Sequence, residues 1–383
     1  MKELFNAFRS SAYFVAPYFI VSRALFFLIL YCSAAISINS VPSREGLNYH
    51  VTSDSDPSLV MTKITKTLLS GDPSWYMEIA RYGYPIGDYQ TSEARHWVFF
   101  PAYPLIVRAL TLFSGSYLGT AVLLNMLLFF VALCFLSEYL KDTIESSARN
   151  FVIAAFAFHP MSYFFSLPQT ESLFFCSLMG VLLLLKSGRS GMSLVIFSAI
   201  LFCSRPTSLL MIPVLLYLIS AKSSDRYRLL FSITIGFLSF ILFSLYLYHL
   251  TGSAFTWMTH QKIWGRVGIG NDLNPLNIKL LSSWNFNALH IYFLILAIFA
   301  AIYFFRFKKI SCSLMLIAPI IVILQSGGLM SITRILMPLF PIQLFLGEVL
   351  KSEISRRMYL FASCFLYGML ALLFCIHVTL AMA

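Results

Sequence analysis

The sequence predicts an all-α, polytopic membrane protein with about eleven transmembrane helices. Three observations carry this. Of 383 residues, 59% are hydrophobic and only 11% charged, against about a quarter charged in a soluble domain. The apolar residues gather into runs, most of them long enough to cross a hydrocarbon layer of about 30 Å. The basic residues, which leave a net charge of +11, cluster in short loops between those runs. That pattern orients a chain in a membrane and is not a nucleic-acid footprint. Membrane lipids are expected partners; nucleic acid is not. The whole of 1–383 reads as one integral membrane domain.

The first run, 12–37, follows Lys2 and Arg9, so the N-terminus is expected inside. It is long and lacks a small-residue cleavage site, so it reads as a span and not a leader. Residues 38–117 then form a first external loop, with surface helices expected near 57–70 and from Ser74. Within it, the run 97–115 is apolar but broken by Pro101, Pro104 and Arg108. Five basic loops, 141–149, 186–189, 222–228, 306–309 and 351–357, decide its role. All five fall inside if 97–115 is an interfacial or re-entrant helix and the chain crosses at 118–140, 150–166, 169–185, 191–203, 208–220, 229–249, 288–305, 310–325, 331–348 and 358–380. If 97–115 crossed, all five would change sides. The spans 191–203 and 208–220 are short and meet at Ser204-Arg205-Pro206, where a broken pair suits the lining of a cavity. A second external loop covers 250–287.

The stretch 72–104 is a polar and aromatic island in this apolar chain, and seven of the sixteen acidic residues lie between Glu45 and Glu93. Asp72 is its sharpest candidate. A carboxylate among aromatic rings at a membrane surface suits a general base, whereas Asp followed by Pro73 equally suits a helix cap. Glu171 stands where a span meets the outer face. An acid at that depth usually has a partner or a function, and a capping box opening the next helix is the alternative. Arg205 and Arg334 lie near outer ends of spans. Their planar donor forks suit phosphate, although a lone arginine at a helix end more often snorkels to headgroups. Arg23, inside the first span, receives no assignment from sequence. His96 and His159 read most simply as polar core residues. Gln261, Lys262, Trp264 and Arg266 form a polar-aromatic cluster in the second external loop. All seven cysteines sit in apolar runs, without disulfide or metal-ligand spacing, and no histidine pair is spaced for a metal.

In order along the chain, Asp72-x-x-Trp75-Tyr76-x-x-Ile79-Ala80-x-x-Gly83-Tyr84 is followed by Phe99-Phe100-Pro101-Ala102-Tyr103-Pro104-Leu105 and Arg108. This resembles the signature of PIG-V-type mannosyltransferases, the family of the second mannosyltransferase of GPI-anchor synthesis and its prokaryotic relatives. Pro160-x5-Ser166-x-Pro168-x2-Glu171-Ser172-Leu173-Phe174, Ser204-Arg205-Pro206-Thr207, Gln261-x2-Trp264-Gly265-Arg266 and Arg334-x3-Pro338-Leu339-Phe340-Pro341 are similar to later motifs. The resemblance covers about 72–341. The chain departs from the family at Gly71, where Trp is usual, and at His159, where a small polar residue is usual.

The resemblance implies a GT-C architecture, with the active site on the outer or lumenal face and a polyprenyl-phosphate-linked sugar as donor substrate. An acid of the first external loop is then the expected catalytic group. On this reading the chain is an inverting glycosyltransferase moving a sugar, mannose by the resemblance, to a glycan or glycolipid hydroxyl. Asp72 serves as base and Glu171 as a second acid. Arg205 and Arg334 hold the phosphate; Trp75, Tyr76 and Trp264 flank sugar rings; Arg81, His96, Tyr103 and Gln261 complete the substrate-binding set. No cofactor is called for. The expected location is the cell membrane of a prokaryote, or the endoplasmic reticulum of a eukaryote. A multi-pass lipid or glycan transporter is the main alternative, and it predicts midplane charges and two similar halves, neither of which is visible. A non-catalytic scaffold would have no need of both acids.

Overall fold

A chain this apolar must satisfy its backbone groups within each segment, and helices do so. The computed structural model describes residues 2–43, 46–53, 57–93, 95–222, 225–263, 284–325 and 331–376. Over these it is helical apart from one antiparallel hairpin. The order is α1 (Lys2–Ala35), hairpin strands β1 (Ile36–Ser43) and β2 (Gly46–Ser53), α2 (Pro57–Leu68), α3 (Asp72–Tyr82), α4 (Ala102–Ser114), α5 (Tyr117–Leu140) and α6 (Ser146–Ala157). Then come α7 (Glu171–Lys186), α8 (Met192–Phe202), α9 (Ile212–Ser220), α10 (Arg226–Thr251), α11 (Thr256–Thr259), α12 (Trp284–Arg306), α13 (Ile310–Gln325), α14 (Ile332–Leu336), α15 (Pro341–Val349) and α16 (Glu353–Cys375).

Among the described residues, five helices are long and apolar enough to cross a membrane: Arg9–Ala35, Tyr117–Leu140, Arg226–Thr251, Leu289–Arg306 and Glu353–Cys375. They coincide with five of the expected spans. Their outward faces carry large apolar side chains more than half exposed, among them Leu28, Leu242, Phe305 and Phe361. Surface of this kind suits lipid and not water.

The other expected spans are shorter or broken, and proline explains the breaks. The span expected over 150–166 stops as a helix at Ala157 and resumes as a 3-10 turn, Ser162–Ser166. Pro160 lacks an amide proton and disfavours helix at the residue before it. The span expected over 331–348 divides into α14 and α15 around Pro338 and Pro341. The expected break at 204–206 is present. There α8 ends at Phe202, and a 3-10 turn, Pro206–Met211, leads into α9. The run 97–115 becomes a 3-10 turn, His96–Val98, and α4. Thirteen residues span roughly 20 Å as a helix, less than the bilayer core. The second surface helix begins at Asp72, two residues before the expected Ser74. The hairpin has no counterpart in the sequence expectation. Leu47, Tyr49 and Val51 alternate with polar residues at the strand period, and register pairs Ile38 with Val51 and Ser40 with Tyr49.

In the bundle α7 packs between α5 and α8, and α10 lies against the other side of α8. Small residues permit this. A side chain at Gly180 of α7 would collide with Phe197 of α8, and one at Gly236 of α10 would collide with Ser198. The segment 83–102 is stitched onto the bundle by its backbone. Gly87 and Tyr89 donate to the carbonyls of Leu250 and Thr251 at the end of α10 (both 3.2 Å), and Ala102 donates to Cys203 (2.9 Å). Trp97 is fully buried and its indole donates to the Pro85 carbonyl at 2.9 Å. These bonds fix α3, and with it Asp72.

Candidate active site

Four charged residues from four separate elements meet. Asp72 opens α3, Glu171 opens α7, Arg205 lies at the break between α8 and α9, and Arg334 is on α14. Arg334 Nη2 donates to Asp72 Oδ2, a contact between residues 262 apart in sequence. Its Nε lies 3.0 Å from Glu171 Oε1, and Arg205 Nη1 lies 3.6 Å from the same oxygen. The Glu171 side chain is 1% exposed and that of Asp72 25%, so the cluster has a closed end and an open one.

Neither acid is a helix cap. The cap position of α3 is Gly71, whose φ of 74° lies in the left-handed region that glycine enters without steric cost. Asp72 follows as the first helical residue and its carboxylate turns to Arg334. Thr170 precedes Glu171 but makes no side-chain cap bond, so the capping box does not form. The arginines do not snorkel. Each guanidinium lies over a ring, Arg205 over Phe174 and Arg334 over Phe164, both 5.6 Å from the centroid.

Helical spacing sorts the rest of α3. Tyr76, four residues after Asp72, shares its face and is buried, its hydroxyl 3.4 Å from that of Thr170. Burial, reinforced by the nearby Asp72 carboxylate, pushes the Tyr76 phenol well above its ordinary range. The hydroxyl is therefore neutral and able to donate. Glu78 and Arg81 lie on the opposite face. Glu78 pairs with His96 Nε2 at 2.7 Å, and Arg81 lies 5.3 Å over the Tyr117 ring. Trp75 flanks the two faces, stacked at 6.0 Å on Phe99 and edge-on to His96 at 4.7 Å.

Of the sequence candidates, the structure thus gathers Asp72, Glu171, Arg205, Arg334 and Tyr76. Trp75 and His96 form a neighbouring aromatic wall, while Arg81 turns away. Tyr103 is fully buried, packs edge-on against Tyr76 at 5.6 Å and donates to the Ala121 carbonyl at 3.3 Å. Gln261 donates to the Trp257 carbonyl at 3.4 Å, beside His260, which bonds the Tyr89 carbonyl at 2.8 Å. Trp264 and Arg266 lie outside the described residues.

Three buried polar residues around the cluster received no role from the sequence. Asn125, buried in α5, donates to the carbonyls of Leu167 and Gln169, pinning the turn that presents Glu171. A lone Asn within a 24-residue apolar helix was the available signal. The Gln169 amide is buried, and among the described residues neither its oxygen nor its nitrogen has a partner. Arg23 carries the third role. It is 2% exposed, and all its donors are engaged by oxygens: Ser22 Oγ, the carbonyl and hydroxyl of Ser162, Ser166 Oγ and the Ala157 carbonyl. It therefore ties α1 to the broken segment that leads to Glu171.

Compared with known proteins, the chain matches no family model and no curated sequence.

Proposed function

We propose that this chain is an inverting glycosyltransferase of GT-C architecture, of the kind its motifs resemble. It takes a sugar, mannose by that resemblance, from a polyprenyl-phosphate donor and passes it to a glycan or glycolipid hydroxyl at the outer or lumenal face. The observation that carries the reading is Arg334, which bonds Asp72 and lies 3.0 Å from Glu171. One guanidinium thus stands between an accessible acid and a buried one, with a second arginine beside the latter.

That arrangement suits a displacement in which charge moves. The acceptor oxygen attacks the anomeric carbon and Asp72 takes its proton. The bond from that carbon to the phosphate oxygen breaks, and its electron pair leaves with the phosphate. Asp72 loses its negative charge as the phosphate gains one, so Arg334 exchanges one anionic partner for another. Preorganised cations aimed at developing charge are a large source of rate enhancement, and the guanidinium fork matches phosphate geometry. Neutral Tyr76 donates nearby without adding charge, and the Trp75 ring offers a face for sugar. The five basic loops support placing this cluster on the side opposite the cytoplasm.

The test is turnover by the purified full-length chain in proteoliposomes supplied with a radiolabelled polyprenyl-phosphate mannose and a glycolipid acceptor. The expected result is labelled acceptor together with free polyprenyl phosphate. Passage of intact donor lipid across the bilayer without cleavage would replace this reading with transport.

A further inference from the structure

Charge in the four-residue cluster is balanced, but its hydrogen bonding is not. Glu171 is 1% exposed, and among the described residues neither of its carboxylate oxygens accepts a hydrogen bond. Arg334 Nε and Arg205 Nη1, at 3.0 and 3.6 Å, are near Oε1 without a hydrogen bond to it, and among the described residues both lack a hydrogen bond of their own. Buried polar groups are costly to leave unpaired. The cluster is therefore built for something that supplies the missing partners.

The unpaired atoms are of two kinds. Two arginine N–H groups require acceptors, and two carboxylate oxygens require donors. A bare phosphate answers only the first need and brings like charge against the second. The matching ligand carries an anionic oxygen and, within a few ångströms of it, a hydroxyl. In a hexose joined to phosphate through its anomeric carbon, two ring atoms flank that carbon. One is the ring oxygen, which has no proton to give. The other is carbon 2, which carries a hydroxyl. The donor nearest the phosphate is thus the 2-hydroxyl.

We propose that Glu171 reads the donor sugar by accepting a hydrogen bond from its 2-hydroxyl, while Arg205 and Arg334 hold the adjoining phosphate. This rests on the glycosyl-transfer reading and divides the labour of the two acids. Asp72, at the accessible end, serves the acceptor, and Glu171, at the closed end, serves the donor. Carbon 2 is also where mannose and glucose differ, the hydroxyl being axial in one and equatorial in the other. Glu171 is thereby the specificity-determining residue for the transferred sugar.

Equilibrium binding is the right readout, because removing the 2-hydroxyl also makes the glycosidic bond easier to break and would confuse a rate. The full-length protein in nanodiscs is titrated with polyprenyl-phosphate mannose, with its 2-deoxy analogue and with bare polyprenyl phosphate. The parent is expected to bind the mannosyl lipid about 10- to 100-fold more tightly than the 2-deoxy analogue, the range for a hydrogen bond to a charged group. In Glu171→Gln that difference should shrink to about three- to tenfold, because the amide makes an uncharged bond of roughly half the strength. The analogue comparison on the parent needs no substitution, so a poorly folding variant does not blunt the test. Equal binding of both sugars by the parent overturns the assignment of Glu171, as does a preference that Glu171→Gln leaves undiminished. In those cases tight binding of bare polyprenyl phosphate still upholds the phosphate site. Failure of all three lipids to bind overturns the glycosyl-transfer reading itself, and this inference with it.

Discussion

Two buried arginine centres lie on either side of the turn that leads to Glu171, and they are built on opposite principles. Among the described residues, Arg23 has no carboxylate partner. Its donors end on serine hydroxyls and backbone carbonyls, and the Phe129 ring lies 4.8 Å from its guanidinium. Arg334 and Arg205 have carboxylates beside them, yet each leaves a buried N–H without an acceptor. One centre has its charge unpaired and its hydrogen bonds complete. The other has its charges paired and its hydrogen bonds incomplete. A centre with nothing left to bond is structure. A centre that spends burial on unfinished bonds is a site, and stability is commonly traded away where function needs it.

If this contrast is right, the two centres fail differently. The largest effect on stability belongs to Arg23. Arg23→Met would strand buried oxygens of Ala157, Ser162 and Ser166, at a cost on the order of 3 kcal/mol or more. Thermal unfolding in detergent should show a clear drop, and donor affinity of the protein that remains folded should be unchanged. Arg23→Lys should recover only part, since an ammonium cannot reproduce the fork. A variant that melts like the parent would break the comparison.

Arg334→Lys comes next and reverses the pattern. The charge stays to balance Asp72 and Glu171, so the melting temperature should stay close to the parent's. Loss of the two-pronged contact with phosphate should lower donor use by about 10- to 100-fold, read as kcat/KM with the lipid-linked sugar. Parental kinetics would remove Arg334 from the phosphate site.

The smallest effects separate two neighbouring tyrosines. The Tyr103 hydroxyl is spent on the Ala121 carbonyl, so Tyr103→Phe should cost no more than about 1 kcal/mol in stability and leave transfer untouched. Tyr76→Phe removes a neutral donor beside Asp72 and should slow transfer with little change in melting. Equal activity losses in the two would place both rings in the site.

How much of this could be read in the sequence follows the range of the interactions. The 72–104 island, the break at Ser204-Arg205-Pro206 and the three residues Glu171, Arg205 and Arg334 were legible. Each is a polar residue or a proline in an apolar setting, which is a local signal. The pairing of Asp72 with Arg334 joins residues 262 apart and left no mark near either. Arg23 stood out as a charge within a span but received no role, and Asn125 was passed over, because their partners are backbone carbonyls and serines more than 40 positions away, apart from the adjacent Ser22. Side-chain type alone cannot disclose such acceptors. The break after Ala157 was encoded by Pro160, yet the apolar run continues on both sides of it and reads as one span. The cap readings weighed as alternatives for Asp72 and Glu171 were locally sound, but neither cap bond forms.

If the open end of the charged cluster holds a general base, Asp72→Asn removes it. Asn is nearly the same shape and makes no cap bond that must be preserved. It accepts no proton as a carboxylate does, and general-base help is worth about 10²–10⁴-fold in rate. Transfer from polyprenyl-phosphate mannose should fall by that factor in a protein that still folds and still binds the donor lipid. If Asp72→Asn keeps more than about a tenth of the parental rate, well above what loss of a base should leave, Asp72 is only the ion-pair partner of Arg334 and the account is wrong at its centre.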